Sequence, residues 1–152
     1  MSTVRDLSVD GAALRLEVDL PARPTEVLAC WTDPARLVTW WPPIAMFDAR
    51  PGGGYAFGWP EQGWWLRGDV TELTAGSVVF TWRWDHRPEL PDRVVRVSVA
   101  PGPTPATSVL RLEHGPYTTT ELDQADRAEH DAGWRYFLDR LAASLGTPSP
   151  SE

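Results

Sequence analysis

The chain has no lysine, no asparagine and a single cysteine, Cys30, in 152 residues. All 14 of its basic residues are arginine. Without lysine there is no Schiff-base amine and no Walker A phosphate clamp. Without asparagine a papain-type Cys-His-Asn triad and an N-glycosylation sequon are both excluded. One thiol forms neither an internal disulfide nor a multi-thiolate metal site. No apolar run approaches the roughly 18–20 residues that cross a bilayer, and the N-terminus lacks a basic-then-apolar leader, so a cytoplasmic protein with no membrane partner is expected. The 21 acidic residues outnumber the basic ones, for a net charge of −7. That is the wrong sign for a surface that neutralises phosphates, so nucleic acid is not an expected partner.

What the chain has in excess is tryptophan: nine, against three tyrosines and four phenylalanines. Rings of that size must fill a core or line a cavity. With 42% hydrophobic and 23% charged residues the composition is that of one folded domain.

Residues 14–20 (LRLEVDL) alternate apolar and charged, the signature of a strand with one buried face. Pro24 suits the first turn of a helix carrying Val27, Leu28, Cys30 and Trp31. Asp33-Pro34 reads as N-cap and first residue of a second short helix, with Leu37, Trp40 and Trp41 on its apolar side, ended by Pro42-Pro43. Met46 to Ala49 leads into the turn Arg50-Pro51-Gly52-Gly53-Gly54, where glycine supplies positive φ. Strands are then expected over 55–59, 66–73, 78–84, 93–99 and 107–114, as an antiparallel meander. From Leu122 to Leu145 the period becomes helical, with Leu122, Ala125, Trp134, Phe137, Leu138, Leu141 and Leu145 on the apolar stripe. The expected class is α+β: a twisted sheet wrapping a long C-terminal helix. Residues 1–11 read as an N-terminal extension, 12–146 as the domain and 147–152 as a flexible tail.

Five motifs occur in order: Trp31-Thr32-Asp33-Pro34 with Trp40-Trp41-Pro42; Asp48-Ala49-Arg50-Pro51-Gly52-Gly53; Phe80-Thr81-Trp82; Leu112-Glu113-His114; and His130-Asp131-Ala132-Gly133-Trp134. Together, over about residues 12–145, they resemble the SRPBCC or START-like superfamily, in the branch named for homologues of the heat-shock chaperone ATPase activator. The resemblance implies the helix-grip fold and an apolar cavity between sheet and C-terminal helix. Some members use that cavity for lipids or polyketides and others for catalysis, and fold alone does not choose between them.

Period-two alternation puts Phe80, Trp82 and Trp84 on one face, as it does Tyr55, Phe57 and Trp59, with Leu110, Leu112 and His114 continuing that face. On the helix His130, Trp134, Phe137 and Leu141 share a stripe. Either these rings pack into a solid core or they enclose a ligand cavity. In the second case the wall is Phe57, Trp59, Trp82, Trp84, His114, His130, Trp134 and Phe137, with the histidines orienting a guest. Gly133 is expected to let the helix approach the sheet closely.

His86, His114 and His130 lack metal-ligand spacing, so no metal is expected. No cofactor motif is present either. His86 reads as a solvated loop residue and Cys30 as a small buried one. Asp123, Asp126, Glu129 and Asp131 read as a charged face favourable to the helix dipole. Periodicity leaves Arg67 undecided: the aliphatic Leu66 and Val70 favour its pointing outward, and inward it would be a buried cation seeking a carboxylate or an anionic ligand head. The leading functional expectation is a binder of an apolar or amphipathic small molecule. The alternatives are a cyclase-like or hydrolase-like enzyme using His114, His130 or Tyr117 as acid or base, and a protein-interaction module, for a chaperone as the resemblance implies or for an arginine-rich partner as the net charge and the acidic helix start would suit. A homodimer is also open. No catalytic constellation is visible.

Overall fold

The computed structural model describes residues 3–146. In chain order the elements are β1 (Arg5–Asp6), β2 (Leu14–Leu20), α1 (Pro24–Thr32), α2 (Pro34–Leu37), β3 (Ile44–Phe47), β4 (Gly54–Trp59), β5 (Trp64–Leu73), β6 (Ser77–Trp84), β7 (Arg93–Pro101), β8 (Ser108–Gly115) and α3 (Glu121–Gly146). The sheet has eight antiparallel strands in the order β1-β2-β8-β7-β6-β5-β4-β3. Strands β4 to β8 form the expected meander, and β3, lying two residues earlier than the Met46–Ala49 segment read before the turn, pairs with β4. β2 adds beside β8, Leu16 opposite Leu112, so the first long strand and the last are neighbours.

The alternation in β2 is obeyed to the residue. Leu14, Leu16, Val18 and Leu20 are buried while Arg15 and Asp19 are exposed. Each aliphatic side chain so removed from water contributes roughly 2 kcal/mol. On the wet face Arg5 of the short β1 holds Glu17 at 2.7 Å and Asp19 at 2.9 Å, so part of the N-terminal stretch joins the sheet edge.

Pro24 and Pro34 open α1 and α2, and the Asp33 side chain accepts from the Ala35 backbone N–H at 3.0 Å, as an N-cap should. α2 is one turn long, shorter than the expected run to Trp41. Trp40 and Trp41 lie in the turns beyond it, both buried, and Trp40 Nε1 donates to the Cys30 carbonyl at 2.9 Å. Cys30 is a small buried residue whose thiol is pushed up by burial. In the 50–54 turn Gly52 takes φ +86°, the left-handed region that glycine fills without strain. In β4, Gly58 sits opposite Trp65, whose ring would lie 2.7 Å from a Cβ there, so only glycine admits the indole.

α3 runs for 26 residues and buries His130, Trp134, Leu138 and Leu141. Its first two turns depart from the expected stripe. Leu122 and Ala125 are exposed, and the inward positions belong to Asp123 and Asp126. The reason is Arg93, 1% exposed at the start of β7. Its Nε donates to Asp126 Oδ2 at 2.9 Å and its Nη2 to Asp123 Oδ1 at 3.0 Å, with Nη1 on the Pro116 carbonyl. A buried guanidinium needs carboxylates, and the helix rotates to supply them. No helix among the described residues is long and apolar enough to cross a membrane.

Candidate functional site

The rings meet as the strand and helix periods require. Trp41 is the hub, with ring centroids 4.9 Å from Trp134, 4.9 Å from Phe57 and 6.0 Å from Trp82. Trp82 lies 5.7 Å from Trp84 at 90°, and Trp84 lies 5.3 Å from Trp59 and 6.1 Å from Trp64. The rings do not interlock completely. A cleft of about 540 Å³ opens between the C-terminal ends of β4 and β6, the loop after β6 and the middle of α3. Six tryptophans line it, with Phe137 and Leu90, and Asp126, Glu129, His130, His86 and Arg87 supply its polar atoms.

Of the residues expected at the wall, Trp59, Trp82, Trp84, His130, Trp134 and Phe137 border the cleft. Phe57 and His114 do not. Phe57 is 1% exposed behind Trp41, and His114 is fully buried behind His130 and Trp134. Sequence reasoning missed Trp41, Trp64, Arg87, Leu90, Asp126 and Glu129. Two adjacent tryptophans at 40 and 41 point to different surroundings, both buried, but the short α2 hides that it is Trp41 that borders the cleft.

His86 also borders the cleft. It is exposed, yet stacks on Trp64 at 5.0 Å and 10°, and its pKa is lowered by burial against these rings. Gly133 overturns the expectation of close helix–sheet approach: a Cβ there would meet nothing within 4 Å, because the residue faces the open cleft. Arg67 points outward, pairing with Asp85 at 2.8 Å and lying 5.2 Å over Trp65.

Behind the wall runs a polar chain. The Tyr117 hydroxyl and His130 Nδ1 are 2.7 Å apart, and His130 Nε2 is 3.4 Å from Asp126 Oδ1. Burial pushes the His130 pKa down to about 4, Asp126 opposing and Arg93 adding to the effect. The ring is therefore neutral at pH 7. Its partner His114 stacks on it at 4.4 Å and is driven well down by burial, then by the charge of His130 and Arg93. Tyr117, 4% exposed under the Arg93 guanidinium at 4.3 Å, has its phenol raised by burial and stays protonated. Asp123 is held down to about 2 by the Thr118 backbone N–H, with Arg93 and the Thr118 hydroxyl assisting. The acidic residues thus divide: Asp123 and Asp126 anchor Arg93, Asp131 pairs with Arg135 at 2.9 Å, and Glu129 stands at the rim. Only part of the expected dipole-facing surface survives.

Trp82 Nε1 and His114 Nε2 are sealed donors with no hydrogen-bond partner among the described residues. Among those residues no group of three or more His, Cys, Asp or Glu side chains is placed to hold a metal ion.

A curved antiparallel sheet gripping one long helix, with a cleft between them, defines the helix-grip class. The family model described as activator of Hsp90 ATPase homolog 1-like protein matches residues 21–146, and the chain belongs to that family. No curated protein matches it. Among solved structures it is similar to CalU16 from Micromonospora echinospora, with 23% identity, TM-score 0.70, and coverage of 96% of this chain and 85% of that one. DynU16, a protein in the dynemicin biosynthetic locus, aligns at 22% identity and TM-score 0.76 over 93% of this chain; the present chain spans about half of DynU16, 49% of its length. An Hsp90 activator from Plasmodium falciparum, PFC0360w, aligns at 20% identity and TM-score 0.69, over 90% of this chain and 98% of that one. At these identities the likeness is one of fold.

Proposed function

We propose that the protein binds a small apolar or amphipathic molecule in the cleft between β4, β6 and α3, against Trp59, Trp82, Trp84, His130, Trp134 and Phe137. The observation that carries this reading is the 540 Å³ cleft itself, lined by indoles on most sides and by a few convergent polar groups on one. Small-molecule sites have that volume and that division of labour. A catalytic role is less well supported. Of the three residues considered as acid or base, His114, His130 and Tyr117, both His114 and Tyr117 are engaged with His130, and of the three His130 alone lines the cleft.

The test is native mass spectrometry of freshly purified protein, together with titration of hydrophobic probes read by tryptophan emission and melting temperature. A saturable emission change with a raised melting temperature is expected, since a ligand held only by the folded state stabilises it. No saturable response from fatty acids, aromatic polyketide-like compounds or hydrophobic dyes would dismiss the reading.

A second reading is association with a chaperone, favoured by the family and by the exposed Ile44 and Met46 on the edge strand β3. Recovery of a chaperone with the tagged protein, lost in Met46→Glu, would select it.

A further inference from the structure

We infer that the cleft selects cationic amphiphiles, molecules with a small apolar body bearing a substituted ammonium group, over their neutral and anionic counterparts. The inference rests on the reading that the cleft binds a small molecule, and it adds the charge of that molecule.

Three features of the wall point the same way. The first is the rings. Trp59, Trp64 and Trp84 surround the mouth at mutual centroid distances of 5.3 and 6.1 Å about Trp84, and Trp41, Trp82 and Trp134 continue the lining inward. Indole faces carry negative potential and attract a cation lying within about 6 Å of the ring centroid. They offer a carboxylate nothing comparable.

The second is the balance of charge. Of the charged side chains that line the cleft, one is a cation, Arg87, and two are carboxylates, Asp126 and Glu129; behind them Glu89 pairs with Arg87, and Asp123 joins Asp126 on Arg93. Arg87 is engaged by Glu89 at 2.6 Å, and Arg93 is held by two aspartates at once. Arg127, next along α3, does not line the cleft and reaches away to the backbone carbonyls of Asp10 and Ala13. The third is the state of the imidazoles. Burial holds His130 and His86 below their ordinary range, so neither adds a positive charge at neutral pH. Inside a cleft of low polarity the surplus negative charge acts at greater strength than in water. A cation entering there replaces its lost hydration with ring faces and carboxylates, whereas an anion meets repulsion.

The experiment compares three probes with the same eight-carbon chain below their micellar concentrations: octyltrimethylammonium, 1-octanol and octanoate. Binding to the intact protein is followed by tryptophan quenching and calorimetry at pH 7.5 and low salt. Octyltrimethylammonium is expected to bind at least tenfold more tightly than octanol, and octanoate most weakly. Glu129→Gln, a change at an exposed rim position, is expected to reduce the cation's advantage over octanol several-fold. Octanol binding as tightly as the cation, or octanoate binding best, would overturn the inference while leaving the cleft a binding site. Failure of all three probes to saturate would overturn the inference and count against the binding function itself.

Discussion

The indole N–H of Trp134 donates to Nδ1 of His114 at 2.9 Å, in a place where His114 has no solvent exposure. This bond joins α3 to β8 and sets the imidazole tautomer, since an accepting Nδ1 leaves the proton on Nε2. Trp134→Phe keeps most of the ring but leaves that nitrogen unpaired. We expect a loss of about 2 kcal/mol in urea unfolding. The double change with His114→Phe should cost less than the sum of the two single ones, because it removes both partners.

Stability should fall as the solution is acidified through the histidine range. His130 takes its proton near pH 4 in the native state and near 6.5 when unfolded. Between those values the unfolded chain binds more protons, so this contribution is fully present above pH 6.5 and declines as pH drops towards 4. The separation of pKa values amounts to ~3 kcal/mol. His114, lowered in the same direction, adds to the slope. Urea midpoints at pH 7 and pH 5 measure the effect, and His130→Gln should flatten the profile. Equal midpoints in the native sequence would show that the rings are not held neutral.

Removal of the Arg93 charge should be severe. Arg93→Met strands Asp123 and Asp126, both 5% exposed, without their cation. Breaking a buried pair from one side costs about 3–5 kcal/mol. Adding Asp123→Asn and Asp126→Asn to Arg93→Met should recover a large part of that loss. Denaturation of the single and triple variants decides the matter.

Gly133 separates stability from binding. A methyl group there meets open space, so Gly133→Ala should raise stability by about 1 kcal/mol through helix propensity. Gly133→Leu projects its side chain into the cleft instead. It should leave the melting temperature unchanged or higher while abolishing the response to hydrophobic probes. A sharply lowered melting temperature in Gly133→Leu would mean the helix packs there after all.

Much of this molecule is legible along the chain. The alternation over 14–20, the proline-led helix starts, the turn at 50–54 and the change of period after Leu122 place nearly every element, because each rests on contacts or backbone preferences within a few residues. The aromatic faces of β4 and β6 and the His130–Trp134–Phe137 stripe follow from the same periods. Errors arise where a distant partner overrides the local pattern. Leu122 and Ala125 look like the start of the apolar stripe, yet Arg93, 30 residues from Asp123 along the chain, pulls the acidic positions inward. Phe57 and His114 have the right parity for a cavity wall, but Trp41 and Trp134 stand in front of them.

By itself, then, the sequence determined the order of the main elements, which side of most strands is apolar, and through its ordered motifs the family, while the short β1 and the facing of Arg67 on β5 were not legible in it. The tertiary structure alone decided that β2 closes against β8, that two aspartates share one buried arginine, and that the rings leave a cleft instead of filling it. The physical reason is that periodicity carries the direction in which a side chain points and carries no distances between elements. Whether six indoles interlock or stand apart depends on where the whole length of α3 comes to rest against the sheet, and that position is set by contacts such as Arg93 with Asp126 and Trp134 with His114, which span the chain.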